Sequence, residues 1–235
     1  MMTQNVVQAI AAVLFASSMA FAQPPTLGIH KDLLVWMPLT NGAVTNVVTG
    51  GAAVTVVGTK AFEDNTPTPN EQAASFSGST WHISCGVLPC VRYGSFTVGL
   101  WLNTHEVMPT EAAFLGNKDW TASANLGFCL IANRMWPVPS TGATGRSLSW
   151  NVKLDDTNAT GDFYGWYEPD VWRYVTLVFD RGADLVTAYT NGIAVGTRKF
   201  NVNNKIDLST FDFGALPLTF GTSGVLEAYG KTEQA

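Results

Sequence analysis

Residues 171–195 constrain the fold more than any other part of the chain. Val175, Leu177 and Phe179 alternate with Tyr174, Thr176 and Val178, the two-residue period of a strand whose side chains point to opposite faces of a sheet. Asp180-Arg181-Gly182 predicts a turn, and a second strand follows from Asp184 to Thr190. That strand ends at Asn191-Gly192, the dipeptide that most readily takes positive φ at both central positions of a two-residue hairpin. A third strand follows at once. Three antiparallel strands in succession commit the chain to a sheet with an apolar face, which the remaining residues must cover.

They do so with more strands. Phe96, Val98, Leu100 and Leu102 define one face of residues 94–103, and Trp101 lies on the other face among small residues, the pattern of a strand covered on both sides in a sandwich. Further strands are predicted at 33–39, 52–57, two around Gly78 within 73–83, then 112–116, 127–133, 147–154 and 216–221. Pro38 puts the first of these at a strand end or sheet edge. Thr66-Pro67-Thr68-Pro69 breaks regular structure. Helical periodicity appears nowhere after residue 22, so the fold class is all-β. With 22 glycines and only 13% charged residues in 235, the composition is that of a single turn-rich β domain. The net charge of -5 comes without a basic run, which argues against a nucleic-acid or anionic-membrane partner.

Residues 1–22 hold no charged side chain and end in Ala20-Phe21-Ala22 before Gln23-Pro24-Pro25. This is a signal-peptide pattern with cleavage between Ala22 and Gln23, although its n-region lacks Lys and Arg. The apolar run is too short and interrupted for a spanning helix. Residues 23–32 read as a linker and 33–235 as the domain. The expected location is extracellular, or periplasmic in a bacterium. In such an oxidising compartment Cys85 and Cys90, flanking Gly86-Val87-Leu88-Pro89, are expected to form a disulfide. Cys129 then remains as a small buried hydrophobe.

Four segments together resemble the laminin G-like, or concanavalin A-like, lectin superfamily in its pentraxin-like branch. They are Leu33-Leu34-Val35-Trp36-Met37-Pro38-Leu39, Ala74-Ser75-Phe76-Ser77-Gly78-Ser79, Ser95-Phe96-Thr97-Val98-Gly99-Leu100-Trp101-Leu102, and Trp172 to Asp180 with its Tyr189-Thr190-Asn191-Gly192 sequel. The resemblance implies a jelly-roll β-sandwich of two antiparallel sheets. It also implies a final strand with a Gly and an acidic residue, which residues 230–235 do not supply. Many such relatives bind calcium through loop oxygens. The matching positions here are Asn117 and Asp119, with Asp155, Asp156 or Asp162 as further ligands. The acidic cluster of the pentraxin branch is replaced by Thr222-Ser223-Gly224.

Enzymes on this fold pair carboxylates along one strand. The nearest approach, Glu168-Pro169-Asp170, lacks the next acid and is broken by Pro169, so it reads as an acidic loop. His30, His82 and His105 lie in separate segments without a nucleophile signature. No catalytic residue is therefore assigned. Trp120, Trp136, Tyr164, Trp166 and Tyr167 fall in Gly-, Asn-, Asp- or Pro-rich stretches read as loops, where exposed rings suit stacking on sugars; the alternative is that they cap the core. Asn158-Ala159-Thr160 is an N-glycosylation sequon, relevant in a eukaryotic host. The sequence thus predicts a secreted, non-catalytic recognition domain that binds carbohydrate or an extracellular protein through Trp120, Tyr164, Trp166 and Tyr167. An adhesive matrix component is the alternative, and a polysaccharide-cleaving enzyme the remote one.

Overall fold

The computed structural model describes residues 32–39, 41–64, 66, 71–76, 81–104, 112–118, 126–133, 147–153, 159–166, 168, 170–199 and 212–221. In chain order the elements are β1 (Thr55–Gly58), β2 (Phe62–Glu63), β3 (Ala73–Ala74), β4 (Trp81–Ser84) and the helix α1 (Pro89–Tyr93), then β5 (Phe96–Leu102), β6 (Ala112–Gly116), β7 (Gly127–Asn133) and β8 (Ser147–Lys153), then β9 (Ala159–Trp166), β10 (Arg173–Asp180), β11 (Leu185–Thr190), β12 (Ile193–Lys199) and β13 (Thr219–Phe220). They form a seven-stranded sheet in the order β1-β4-β13-β6-β7-β8-β9, a four-stranded sheet β12-β11-β10-β5 and a small β2-β3 ribbon. The strand pairs among the described residues are antiparallel throughout. This is the all-β sandwich that the alternating segments predict. The edge strands β9 and β12 adjoin, so the two sheets draw together along one side.

The meander forms as its residues dictate. Asn191 and Gly192 have φ of 51° and 79°, the two positive values of a primed hairpin turn, and β10 pairs with β11 from Val175↔Thr190 to Asp180↔Leu185. On its other side β10 pairs with β5, from Arg173↔Leu102 to Phe179↔Phe96. Val175, Leu177 and Phe179 point inward with at most 1% exposure. Phe179 stacks on Phe96 at 4.4 Å between ring centroids and meets Phe128 of the facing sheet at 5.1 Å. Trp150 and Phe213 close edge-on around it. A second core holds Phe76 stacked on Trp81 at 4.3 Å, with the Trp81 indole N–H donating to the Ser75 carbonyl at 2.7 Å.

Several expectations are corrected. Residues 33–39 form no strand, and Leu39 has a φ of 53°. Asn46 takes the place of a partner strand: its Oδ1 accepts from the Trp36 amide and its Nδ2 donates to the carbonyls of Leu34 and Ala52, a side-chain alternative to a sheet ladder. Residues 89–93 form a one-turn helix opened by Pro89, a fixed φ suited to a first helical turn and too short to show periodicity. Residues 159–166, read as loop, are strand β9, paired with β8 from Lys153↔Ala159 to Ser147↔Trp166. Gly161 and Gly165 hide it by diluting β propensity. Residues 1–31, with the expected cleavage point between Ala22 and Gln23, lie outside the described residues, as does everything after residue 221. No helix among the described residues is long and apolar enough to cross a membrane.

Candidate functional site

The outer face of the four-stranded sheet carries the most unusual surface. The burial of β5 alternates, with Thr97, Gly99 and Trp101 outward, so Trp101 is half exposed at 51% rather than covered on both sides as expected. Antiparallel sheets commonly leave one face solvated. Directly across the ladder is Tyr174, 38% exposed, and the two rings meet at 5.5 Å with a 54° tilt. Gly99 makes room for this: a Cβ there would strike the Tyr174 hydroxyl. Tyr174 is also held from the other side, where its amide donates to Asn191 Oδ1 and its carbonyl accepts from the Asn191 amide at 2.7 Å. Thr176, Val178, Thr187, Tyr189 and Thr197 continue the face across β10, β11 and β12. The Thr197 and Thr187 hydroxyls lie 3.5 Å apart. Aromatic rings and hydroxyls dominate this region, and its charges, Asp180 and Lys199, sit at the far end.

At that far end a polar lock holds α1. Arg92 makes a bidentate ion pair with Asp212, whose oxygens lie 2.6–2.9 Å from its nitrogens, and these hydrogen bonds hold the Asp212 carboxyl below the usual carboxylate range. Glu168, in the acidic stretch, pairs with Arg173 at 3.6 Å. Burial lowers the pKa of His82, on β4. Among the described residues no group of three His, Cys, Asp or Glu could hold a metal ion.

Asn117 has a different job from the one expected. It is 1% exposed; its Oδ1 accepts from the Phe128 amide at 2.9 Å and its Nδ2 donates to the Phe213 carbonyl at 2.9 Å. The amide pins the β6–β7 connection to residues 212–214 and is spent on backbone. Its neighbour Lys118 is fully buried and donates to Asn151 Oδ1 at 2.9 Å. Asp119, Trp120, Trp136, Asp155, Asp156, Asn158, Tyr167, His30 and His105 lie outside the described residues. Tyr164, Trp166 and Asp162 fall within β9, the edge strand of the larger sheet.

No disulfide joins Cys85 to Cys90 in the structure, and both are free thiols, as is Cys129. Cys85 follows β4, its amide held by the Leu218 carbonyl, while Cys90 belongs to α1, its carbonyl taken by the Gly94 amide. The two residues are thus fixed by different partners. Burial pushes the Cys85 thiol up to about 11 and also raises Cys90. A thiol-reactive dye at about pH 8 is therefore expected to label the partly exposed Cys90 first and Cys85 and Cys129 only on unfolding, because the thiolate is the reacting form. Three reactive thiols in unreduced, denatured protein agree with the structure; one would restore the bridge.

This geometry defines an all-β sandwich of antiparallel sheets, and solved structures with related folds are similar to it. Domain 4 of AbnA, a GH43 extracellular arabinanase from Geobacillus stearothermophilus solved in complex with arabinotriose, aligns with TM-score 0.52 at 16% identity over 77% of this chain and 78% of that one. The binding domain of botulinum neurotoxin serotype G aligns with TM-score 0.52 at 14% identity over 75% of this chain but only 40% of that one. The CBM40 of Ruminococcus gnavus IT-sialidase aligns with TM-score 0.44 at 11% identity, covering 62% and 73% of the two chains. By sequence, no protein-family model and no curated protein matches. At these identities the likeness is one of fold.

The sequence reading missed Trp101 and Tyr174 as a pair. The signal was present: Trp101 stands in the row of Thr97 and Gly99, and Tyr174 in the row of Thr176, so both occupy the polar row of an alternating strand.

Proposed function

We propose that this chain is a secreted, non-catalytic recognition domain that binds carbohydrate on the outer face of its four-stranded sheet. The observation that carries the reading is the exposed Trp101–Tyr174 pair, held in register by the β5–β10 ladder and by the Asn191 turn. Large exposed rings fixed on a rigid sheet offer apolar faces for the C–H faces of sugars, with a polar edge beside them. The neighbouring threonines add hydroxyl partners without charge, which suits a neutral glycan better than an acidic or basic protein surface. The arabinanase domain, solved with arabinotriose, offers a precedent for a glycan on this fold. The four segments that resemble laminin G-like domains support that branch of the lectin-like sandwiches, and the apolar residues 6–22 support export. Calcium is not needed for this surface.

The test is binding to a broad glycan array followed by calorimetry on the hits. Trp101→Ala is expected to weaken binding by about tenfold or more, as loss of a central aromatic anchor does, with the unfolding midpoint unchanged. Absence of any glycan binding by the wild type, or equal affinity in the variant, would sink the reading. A matrix role is the second reading. It is favoured by the exposed apolar residues of β12, Ile193 at 69% and Val195 at 40%, since exposed apolar surface invites association between copies. Self-association on sedimentation, lost in Ile193→Lys, would support it.

A further inference from the structure

Beyond the last residue of β5, Asn103 is 6% exposed and Thr104 1% exposed. Among the described residues, neither end of the Asn103 carboxamide and no atom partnering the Thr104 hydroxyl completes a hydrogen bond. Buried polar groups are nearly always paired, and one that is not calls for an explanation. The backbone around them is well fixed. Leu102↔Arg173 is the last pair of the β5–β10 ladder, and the Asp170 amide donates to the Thr104 carbonyl at 2.8 Å, so the two chains stay side by side past the strand ends. Leu102 points into the core at 3% exposure. Continuing the two-residue alternation places Asn103 and Trp172 on the side of Trp101 and Tyr174.

We propose that Asn103 is the specificity-determining residue of the aromatic surface, selecting a neutral sugar with two adjacent free hydroxyls. This rests on the carbohydrate reading above. A carboxamide presents one acceptor and a pair of donors on a planar group, and neighbouring sugar hydroxyls, each able to donate and accept, match Oδ1 and Nδ2 together. No hydrogen bond within the described residues holds the Asn103 amide, so engaging a ligand breaks none. It carries no charge, and the nearby Arg173 already faces Glu168, so an acidic sugar gains no ion pair from Asn103. A site built to hydrogen-bond a hydroxyl discriminates strongly against an analogue lacking it.

The experiment is calorimetric titration of the whole chain with cellotriose, xylotriose and arabinotriose, with sialyllactose as the acidic counterpart and monodeoxy analogues of whichever neutral trisaccharide binds. The variants are Trp101→Ala, Asn103→Leu and Asn103→Ala, the last standing in should the leucine variant fail to fold. Expected for Asn103→Leu are a loss of tenfold or more in affinity for the neutral trisaccharide, disappearance of the wild-type preference over its deoxy analogue, and an unfolding midpoint equal to or above wild type, because an unpaired buried amide has been replaced by an apolar group. Binding lost in Trp101→Ala but unchanged in both Asn103 variants overturns this proposal and leaves the aromatic surface standing. Unchanged binding with a lowered midpoint marks Asn103 as bonded to structural water and overturns it also. Preference for sialyllactose overturns the ligand class, and failure of the wild type to bind any of the four removes both readings together.

Discussion

Replacing Phe179 with alanine is expected to lower the free energy of unfolding by about 4 kcal/mol, within the range for truncating a large buried aromatic. Phe179 is fully buried and is the ring through which the two sheets meet. It stacks on Phe96 of its own sheet, touches Phe128 and Trp150 of the facing sheet, and takes Phe213 edge-on at 5.6 Å. Alanine would remove the transfer free energy of the ring and leave a cavity whose walls belong to four separate parts of the chain. These walls are themselves rings locked in register, so they collapse poorly, and poor collapse is what raises the cost of a cavity. Phe179→Leu, which keeps much of the volume, should cost roughly 1–2 kcal/mol. Equilibrium denaturation in urea measures both. A loss below about 1 kcal/mol for the alanine variant would place it in the range of an ordinary surface change and mean that the sheets are joined elsewhere.

The same residue shows what the sequence made legible. Alternation alone identifies Val175, Leu177 and Phe179 as an inward row and Asn191-Gly192 as the turn, because a two-residue period and a positive-φ dipeptide are local properties. Residues 96–102 are legible for the same reason. Residues 33–39 mislead, since their apolar run resembles a strand but its hydrogen bonds are shared between the Asn46 side chain and the amides of Val47, Ala52 and Ala74, partners that no local pattern reveals. Residues 159–166 are hidden by two glycines and become a strand only through the ladder with β8. Aromatic rings were sought in loops, yet Trp101 and Tyr174 meet because the β5–β10 register sets Trp101 opposite Tyr174, and cross-strand register joins residues far apart in sequence. The family resemblance implies Asn117 as a calcium ligand, since many relatives bind the ion through loop oxygens. Only the fold reveals that its amide is spent on Phe128 and Phe213.

Arg181→Ala is expected to cost about 3–4 kcal/mol, the scale for leaving the partners of a buried charged group unpaired. The side chain is 5% exposed. Its Nε donates to the Gly94 carbonyl at 2.6 Å, and its Nη2 to the carbonyls of Arg92 at 2.7 Å and Val91 at 3.3 Å. The guanidinium also lies over the Phe213 ring, 4.6 Å from its centroid. It thus satisfies the carbonyl end of α1, which has too few residues to satisfy its own. Burial lowers the Arg181 pKa and Asp212 raises it in part, but an arginine remains charged at neutral pH. Arg181→Lys keeps the charge and loses the planar fork, so it should recover only part of the loss. The turn bearing Arg181 lies at the opposite end of β10 from Tyr174, about 23 Å away at the rise of a strand. Stability and recognition should therefore separate: Arg181→Ala lowers the unfolding midpoint yet binds glycan with wild-type affinity well below that midpoint, whereas Trp101→Ala does the reverse. Parallel loss of both properties in Arg181→Ala would mean that the aromatic pair depends on the docking of α1, and that the sheet alone does not hold it.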